Sequence, residues 1–285
     1  MMHQIELLKK YGLSVRGTRG QHLLVDRNIQ EKWIAAIDPK PNETIVEIGP
    51  GLGAVTEPLL KSRANVIAIE QDRRFAEILN RELAGDYKNL TLVVSDILKT
   101  NLGNFSNRKA KFKVVGNIPY YITAPILLYL ISHRKFINSA YLTVQSEVAD
   151  RIFAQPGSKA YGRLSILMRF YAEVRRLFEI SRHCFSPKPR VDSTAIQLVF
   201  HSVCPDSFSE IVFFDLVKAG FAKRRKNLVN AIAAGFQTQL TKDEVKKLSA
   251  VAKIAPTARA ESLMLKDFIR LAEQFTNHLK ETGRK

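Results

Sequence analysis

The sequence is short of cysteine, of long apolar runs and of acid. Two cysteines, Cys184 and Cys204, stand in 285 residues, with no Cys-x-x-Cys pair and no His/Cys ligand spacing. That argues against a zinc site and for a reducing compartment, the cytoplasm. Both thiols read as inert rather than nucleophilic. No run approaches the roughly 18 apolar residues of a membrane-crossing helix, so no membrane partner is expected. Met1–Gly20 contain Glu6 and several Lys and Arg but no apolar centre, unlike a secretory signal. A candidate functional motif begins by Gly20, which leaves little room for a cleaved segment.

Acid is outnumbered: 44 Lys+Arg face 27 Asp+Glu, a net charge of +17. A polyanionic partner is the natural inference. Residues 201–285 carry +6, which leaves +11 on the first 200. The excess is therefore a broad phosphate-tracking surface rather than a basic tail. Local clusters stand at Arg16 with Arg19, Arg175–Arg176, Lys188 with Arg190, and Lys223–Lys226.

What is present is a core and a rhythm. Hydrophobic residues make up 46% of the chain. From residue 44 onward apolar runs alternate with amphipathic ones. Strands are predicted at Thr44–Ile48, Asn65–Glu70, Leu90–Ser95, Phe112–Gly116, Ala140–Gln145, Val174–Ile180 and Thr194–Phe200. Helices are predicted between them at Ala54–Lys61, Asp72–Leu83, Pro125–Ser132, Glu147–Ala154 and Leu164–Ala172. Strands that are apolar on both faces suit a parallel sheet covered by helices, and the alternation predicts a doubly wound α/β sheet. The last two strands have no helix between them, which predicts an antiparallel edge. After His201–Ser207 only helical patterns follow: Phe208–Ala222, Lys226–Ala234, Lys242–Val251 and Glu261–Lys280. Thr241-Lys-Asp-Glu244 reads as a capping box. The expected organisation is a helical lead-in with a loop (1–43), a sheet domain (44–205) and a small helical domain (206–285).

Chemistry concentrates at strand ends. Glu47-Ile-Gly-Pro-Gly-Leu-Gly-Ala54 closes the first strand and opens a helix. Its glycines let the backbone approach a ligand closely. Glu70 ends the next strand, about twenty residues on, where an acid accepts both ribose hydroxyls of a nucleoside. Asp96 closes the third strand and is placed to accept from an adenine amino group. Glu47, Glu70 and Asp96 together predict a pocket of negative potential, better suited to a cationic sulfonium than to a pyrophosphate. The plain alternative is that these acids are helix caps or solvated strand ends. Gly49, Gly51 and Ala54 also satisfy G-x-G-x-x-A formally, a weak dinucleotide signal.

Gly116-Asn-Ile-Pro-Tyr-Tyr121 is the most informative stretch. A strand ending in Asn-x-Pro-Tyr gathers a carboxamide, a backbone carbonyl beside a proline, and an aromatic face. An exocyclic amino group on a flat base needs that set: two acceptors for its N–H groups and a ring to stack on. Asn117, Pro119 and Tyr120 are the candidate catalytic residues.

These motifs, in this order, resemble those of the S-adenosylmethionine-dependent adenine-N6 methyltransferases. The matching stretches are E-I-G-P-G-L-G, Ile69–Asp72, Ser95–Leu98 and Asn117–Thr123. Gly20-Gln-His-Leu-Leu-Val-Asp26, Pro156–Ser165, Phe185–Ser193 and Phe221–Leu228 narrow the resemblance to the ribosomal RNA adenine dimethyltransferases, small-subunit branch. The resemblance spans nearly the whole chain. It implies a Rossmann-like methyltransferase sheet with a C-terminal helical domain and S-adenosylmethionine as cofactor. Implied cofactor contacts are Gln21, His22, Leu24, Gly49, Gly51, Glu70, Asp96, Ile97 and Asn117. It implies that Tyr120 stacks on the target adenine and that Phe185 closes the other face. Lys188, Arg190, Lys223, Arg224, Arg225 and Lys226 are the implied RNA contacts. The implied reaction moves four methyl groups to two adjacent adenosines in the 3′-terminal hairpin of 16S rRNA, in an immature small subunit, with the enzyme a monomer. Two departures stand out: His22 where many members have Asn, and Leu23 where many have Phe.

Three other readings stand beside this one. The macrolide-resistance type of large-subunit methyltransferase shares Asn-Ile-Pro-Tyr; Val191-Asp-Ser193 and Phe221–Leu228 favour the small-subunit branch. A non-catalytic RNA-binding factor on the same fold would have lost Glu70, Asp96 or Asn117. A nicotinamide-dependent dehydrogenase would have no use for Asn117 to Tyr120.

Overall fold

The computed structural model describes residues 4–15, 21–106, 110–201, 206–223 and 226–284. Arg16, Arg19, Gly20, Cys204, Arg224 and Arg225 lie outside the described residues. The chain divides into two compact units, Met1–Ala149 with Val174–Phe200, and Asp150–Glu173 with His201–Lys285. The helical unit thus takes in residues 150–173, which the sequence pattern joins to the sheet.

In the first unit a two-residue strand, β1 (Leu23–Leu24), follows helix α1 (Gln4–Lys10) and precedes α2 (Arg27–Ile37). Then β2 (Thr44–Ile48), β3 (Asn65–Glu70), β4 (Leu90–Val94) and β5 (Phe112–Asn117) alternate with α3 (Thr56–Lys61) and α4 (Arg73–Leu83). Helix α5 (Thr123–Ser132) leads to β6 (Ile137–Gln145). The chain returns through β7 (Ala172–Ile180), the short β8 (Phe185–Ser186) and β9 (Ser193–Phe200). The seven long strands form one sheet, ordered β4-β3-β2-β5-β6-β9-β7. Pairs β2/β3, β2/β5, β3/β4 and β5/β6 are parallel, and β6/β9 is antiparallel. This is the Rossmann-like sheet, with the expected antiparallel pairing toward one edge.

Local chemistry explains the elements. Ile45 and Val46 of β2 and Val114 of β5 are fully buried, as strands covered on both faces require. Each such side chain contributes about 1.5–3 kcal/mol of transfer free energy. Asp26 caps α2 by accepting from Ile29 N at 3.0 Å, and Asp72 caps α4 by accepting from Arg74 N at 3.0 Å.

Sequence order reverses between β2 and β5: β3 and β4 build outward on one side, β5 and β6 on the other. A crevice opens at such a switch point, outside the carboxyl ends of the strands. The register aligns those ends, pairing Ile48 with both Ile69 and Gly116. Helix α1 borders the crevice through Gln4. Its Leu7 packs with Leu52 and Phe75, and Gln4 Nε2 donates to the Leu52 carbonyl at 2.9 Å.

The sequence pattern does not reveal the ribbon of β1 and β8, which pairs Leu23 with Ser186 and Leu24 with Phe185. Two-residue strands carry no periodicity to read.

The second unit holds α7 (Arg163–Tyr171), α8 (Glu210–Gly220), α9 (Leu228–Gly235), α10 (Lys242–Val251) and α11 (Leu265–Glu281). The helix α6 (Ser146–Phe153) spans the division between the units. Phe213, Phe268 and Phe275 are fully buried here, and Tyr161 donates from its hydroxyl to the Leu263 carbonyl at 2.7 Å. The Thr241–Glu244 capping box forms as expected on α10. No described helix is long and apolar enough to cross a membrane, and no metal-binding cluster occurs among the described residues.

Candidate active site

A cavity of about 870 Å³ lies at the switch point. The β2–α3 loop forms its floor. Gly49, at φ +65°, and Gly51, at φ +58°, hold the left-handed backbone that turns the chain there. A Cβ on Gly51 would meet Leu23 Cδ2 at 2.9 Å, so the loop and the ribbon close on each other only with glycine. Both glycines border the cavity, as do Gln21, His22, Leu24, Glu70, Ile97, Asn117 and Pro119.

Two carboxyls stand side by side at the ends of β2 and β3. Glu70 is 6% exposed; its Oε2 accepts from Gly51 N at 3.1 Å and its Oε1 from Asp72 N at 2.8 Å. Burial raises its pKa against those bonds. Glu47 is 3% exposed. Burial, with the neighbouring Glu70 charge adding to it, pushes its carboxyl up to about 7. Glu47 Oε2 and Thr56 Oγ1, at the start of α3, are both buried without a hydrogen bond, and the nearby Thr56 hydroxyl partly offsets the upward push on the Glu47 carboxyl. A buried acceptor left open at a cavity wall calls for a ligand donor or a cation.

Asp96 behaves differently. Its Oδ1 caps the turn Ile97–Lys99 by accepting from Leu98 N at 3.0 Å. Its neighbours Ser95 and Ile97 border the cavity, and Asp96 does not. Asp96 thus does cap a turn, with one of its two carboxylate oxygens.

Asn117 ends β5. Its Nδ2 donates to the His22 carbonyl at 2.8 Å. A carbonyl can only accept, so this bond fixes the amide's orientation and turns Oδ1, a pure acceptor, to the other side. Two residues on, the Pro119 carbonyl accepts from Ile122 N at 3.1 Å. The Tyr120 ring is half-buried, and its hydroxyl is 2.7 Å from Ser193 Oγ. Burial raises its pKa above the usual phenol value. The His22 ring stacks on Tyr120, with centroids 5.5 Å apart and planes 28° from parallel.

Phe185 is not at the cavity. It is 4% exposed and packs in the apolar cluster with Leu24, Trp33 and Ile180. Its pairing with Leu24 in the ribbon turns the ring into the core. The expected second stacking face is thus absent at Phe185.

Beside Tyr120 runs an exposed basic loop. Lys188 Nζ lies 3.2 Å from His183 Nε2, and Arg182 Nη1 donates to the Arg190 carbonyl at 3.2 Å. Arg182 and His183 extend the pair Lys188 and Arg190, and no motif had marked them. On the helical unit Lys223 and Lys226 are exposed. Tyr121 was also missed; it borders the cavity and is 65% exposed.

Residues 12–277 match the family described as Ribosomal RNA adenine dimethylase. The chain is similar to "Ribosomal RNA small subunit methyltransferase A" of Lactiplantibacillus plantarum, 38% identical over 94% of this chain and 92% of the relative. A relative of that name from Streptococcus sanguinis is 40% identical, over 94% of each chain. Among solved structures, a dimethyladenosine transferase from Plasmodium falciparum superposes with a TM-score of 0.73 at 27% identity, covering 92% of this chain and 99% of that one.

Proposed function

The chain belongs to the ribosomal RNA adenine dimethylase family, and from that premise we propose that the cavity seats S-adenosylmethionine beside a flipped adenine of 16S rRNA. The observation that carries the reading is the Asn117 amide, tied by Nδ2 so that Oδ1 is free to accept. The product is N6,N6-dimethyladenosine at two adjacent positions of the 3′-terminal hairpin, four methyl groups in all. The substrate is the RNA within an immature small subunit, and the enzyme acts as a monomer. The relatives named above are small-subunit enzymes, which favours this reading over the large-subunit alternative.

The residues fit the cofactor. A cation is favoured where Glu47 and Glu70 are buried together and one carboxylate oxygen is unpaired. Each Glu70 oxygen keeps a second lone pair for a ribose hydroxyl. Gly49 and Gly51 give the backbone approach, and Gln21, His22, Leu24, Ile97 and Asn117 line the rest. When bound, the cofactor supplies an electrophilic methyl group on a sulfonium.

The protein's own work is positioning. The N6 lone pair of adenine is delocalised into the ring and is a weak nucleophile. Asn117 Oδ1 and a backbone carbonyl accept the two N–H bonds and turn the lone pair toward the methyl. Because the Pro119 carbonyl already accepts from Ile122, the Ile118 carbonyl is the better second acceptor. As positive charge passes to nitrogen, both acceptors stabilise it. The released proton leaves to water, so no strong base is needed. Tyr120 offers its face to the base, which must be unpaired to enter.

Mass spectrometry of ribosomal RNA from cells with and without this protein tests the reading: the dimethyladenosines must vanish from the small-subunit RNA alone. Glu70→Ala should weaken cofactor binding at least 10-fold by calorimetry, since it removes charged acceptors. Unchanged affinity would remove Glu70 from the ribose site. The basic loop (Arg182, Lys188 and Arg190) and Lys223 with Lys226 hold phosphates. Changing Lys223, Arg224 and Arg225 to Gln should cut the slope of log affinity against log salt by about 2–3. An unmoved slope would make that patch a solvated surface.

A further inference from the structure

The base clamp lacks a second wall if Phe185 is in the core, and the structure supplies another ring. The His22 imidazole already lies on Tyr120 at 5.5 Å. It is held there from two sides. Its Nδ1 is 2.6 Å from the Pro187 carbonyl, which can only accept, so Nδ1 carries the proton. Its own carbonyl accepts from Asn117 Nδ2 at 2.8 Å. One residue thus touches the amide that would orient the amino group, the ring that would stack on the base, and the loop that carries Lys188 and Arg190.

We propose that His22 is the second stacking wall for the target adenine, so that the base is gripped between the His22 and Tyr120 rings. This deepens the reading of the site as an adenine methyltransferase and rests on it. A base between two rings needs about 7 Å, twice the 3.4 Å spacing of stacked bases. The observed 5.5 Å is too close by roughly 1.5 Å. The clamp therefore rests shut and opens on base entry. The side that moves is the His22 ring, because its side-chain bond goes to Pro187 in the loop between β8 and β9, whereas the Tyr120 hydroxyl is bonded to Ser193, buried in the sheet strand β9. Opening lengthens the His22–Pro187 bond and hands the Tyr120 face from imidazole to purine. An aromatic surface is covered in both states, so the free enzyme does not expose it to water. Asn at this position would leave the Tyr120 face bare.

The test compares His22→Ala, His22→Phe and His22→Asn. Base–aromatic stacking is worth enough for His22→Ala to raise the KM for small-subunit RNA about 10-fold or more. A 2-aminopurine at the target position should lose most of the fluorescence quenching it shows with the unchanged protein. His22→Phe keeps a ring and should restore both signals. Because His22 also lines the cofactor cavity, cofactor affinity is measured alongside by calorimetry, and the RNA effect of His22→Ala should exceed its cofactor effect; thermal unfolding shows that the variants fold. A lower KM in His22→Ala would make the ring a gate that blocks the seat and overturn the proposal. An unchanged RNA KM with a weakened cofactor would overturn it too, and assign the ring to the cofactor. Failure of the unchanged protein to methylate small-subunit adenines would instead sink the underlying reading of the site.

Discussion

Asn117→Ala should cut turnover by about 100-fold or more while leaving cofactor affinity within a few-fold. The expected size is that of losing one preorganised polar partner aimed at developing charge, with misorientation of the nucleophile added. Two roles must be separated, because Nδ2 also ties β5 to the His22 carbonyl. Asn117→Asp separates them. Aspartate keeps the acceptor oxygens but cannot donate to His22, and its charge opposes that carbonyl. If orientation by the tether matters, Asp should fall well below Asn yet remain above Ala. Single-turnover rates on saturating RNA and cofactor give the answer, with thermal unfolding run alongside. A wild-type rate in Asn117→Ala would remove the amide from the chemistry.

Glu47→Gln should stabilise the cofactor-free protein by up to about 3 kcal/mol at pH 8, and should change it little at pH 4. A carboxyl moved from its ordinary 4.5 to about 7 by burial carries that free energy difference between its two forms. Below pH 4.5 it is protonated in both the folded and unfolded chain, so its fold is favoured in full. Between 4.5 and 7 the folded state holds a proton that the unfolded chain has lost, so stability falls as pH rises. Above 7 the charge is buried and the whole cost is felt. Glutamine has no charge to bury, and its variant should lose this slope. Denaturant titrations at the two pH values measure it. A parallel pH profile for the variant would mean that the Glu47 charge costs nothing. The same variant should bind the cationic cofactor more weakly above pH 7, because the attraction is gone. A site that retains a destabilising charge in its empty state retains it for the ligand that neutralises it.

Much of this was legible from residue types because the chemistry sits at strand ends. The periodicity of Thr44–Ile48 and Asn65–Glu70 matches the observed strands residue for residue. Glycines and acids just beyond them then fall at the crevice for topological reasons. Asn117 was readable for a stricter reason: few other chemistries need an amide, a proline and a tyrosine in that order. Phe185 was not readable. Its motif marks an aromatic near the site, but the side to which the ring turns depends on a pairing with Leu24 that spans 161 positions. The capping bond of Asp96 was not readable either, since a strand-end acid and a turn cap have the same local sequence. The unpaired oxygen of Glu47 is a property of packing alone.

The pairing of Leu23 with Ser186 also sets a schedule for synthesis. A chain emerging from its N-terminus can lay down β2 to β6 in order, and those strands need nothing that comes later. The mouth of the pocket cannot be finished until residue 186 has emerged. A nascent or truncated product with a well-made parallel sheet would therefore have a floor for its ligand and no side wall, and would be inert on RNA while it was still being made.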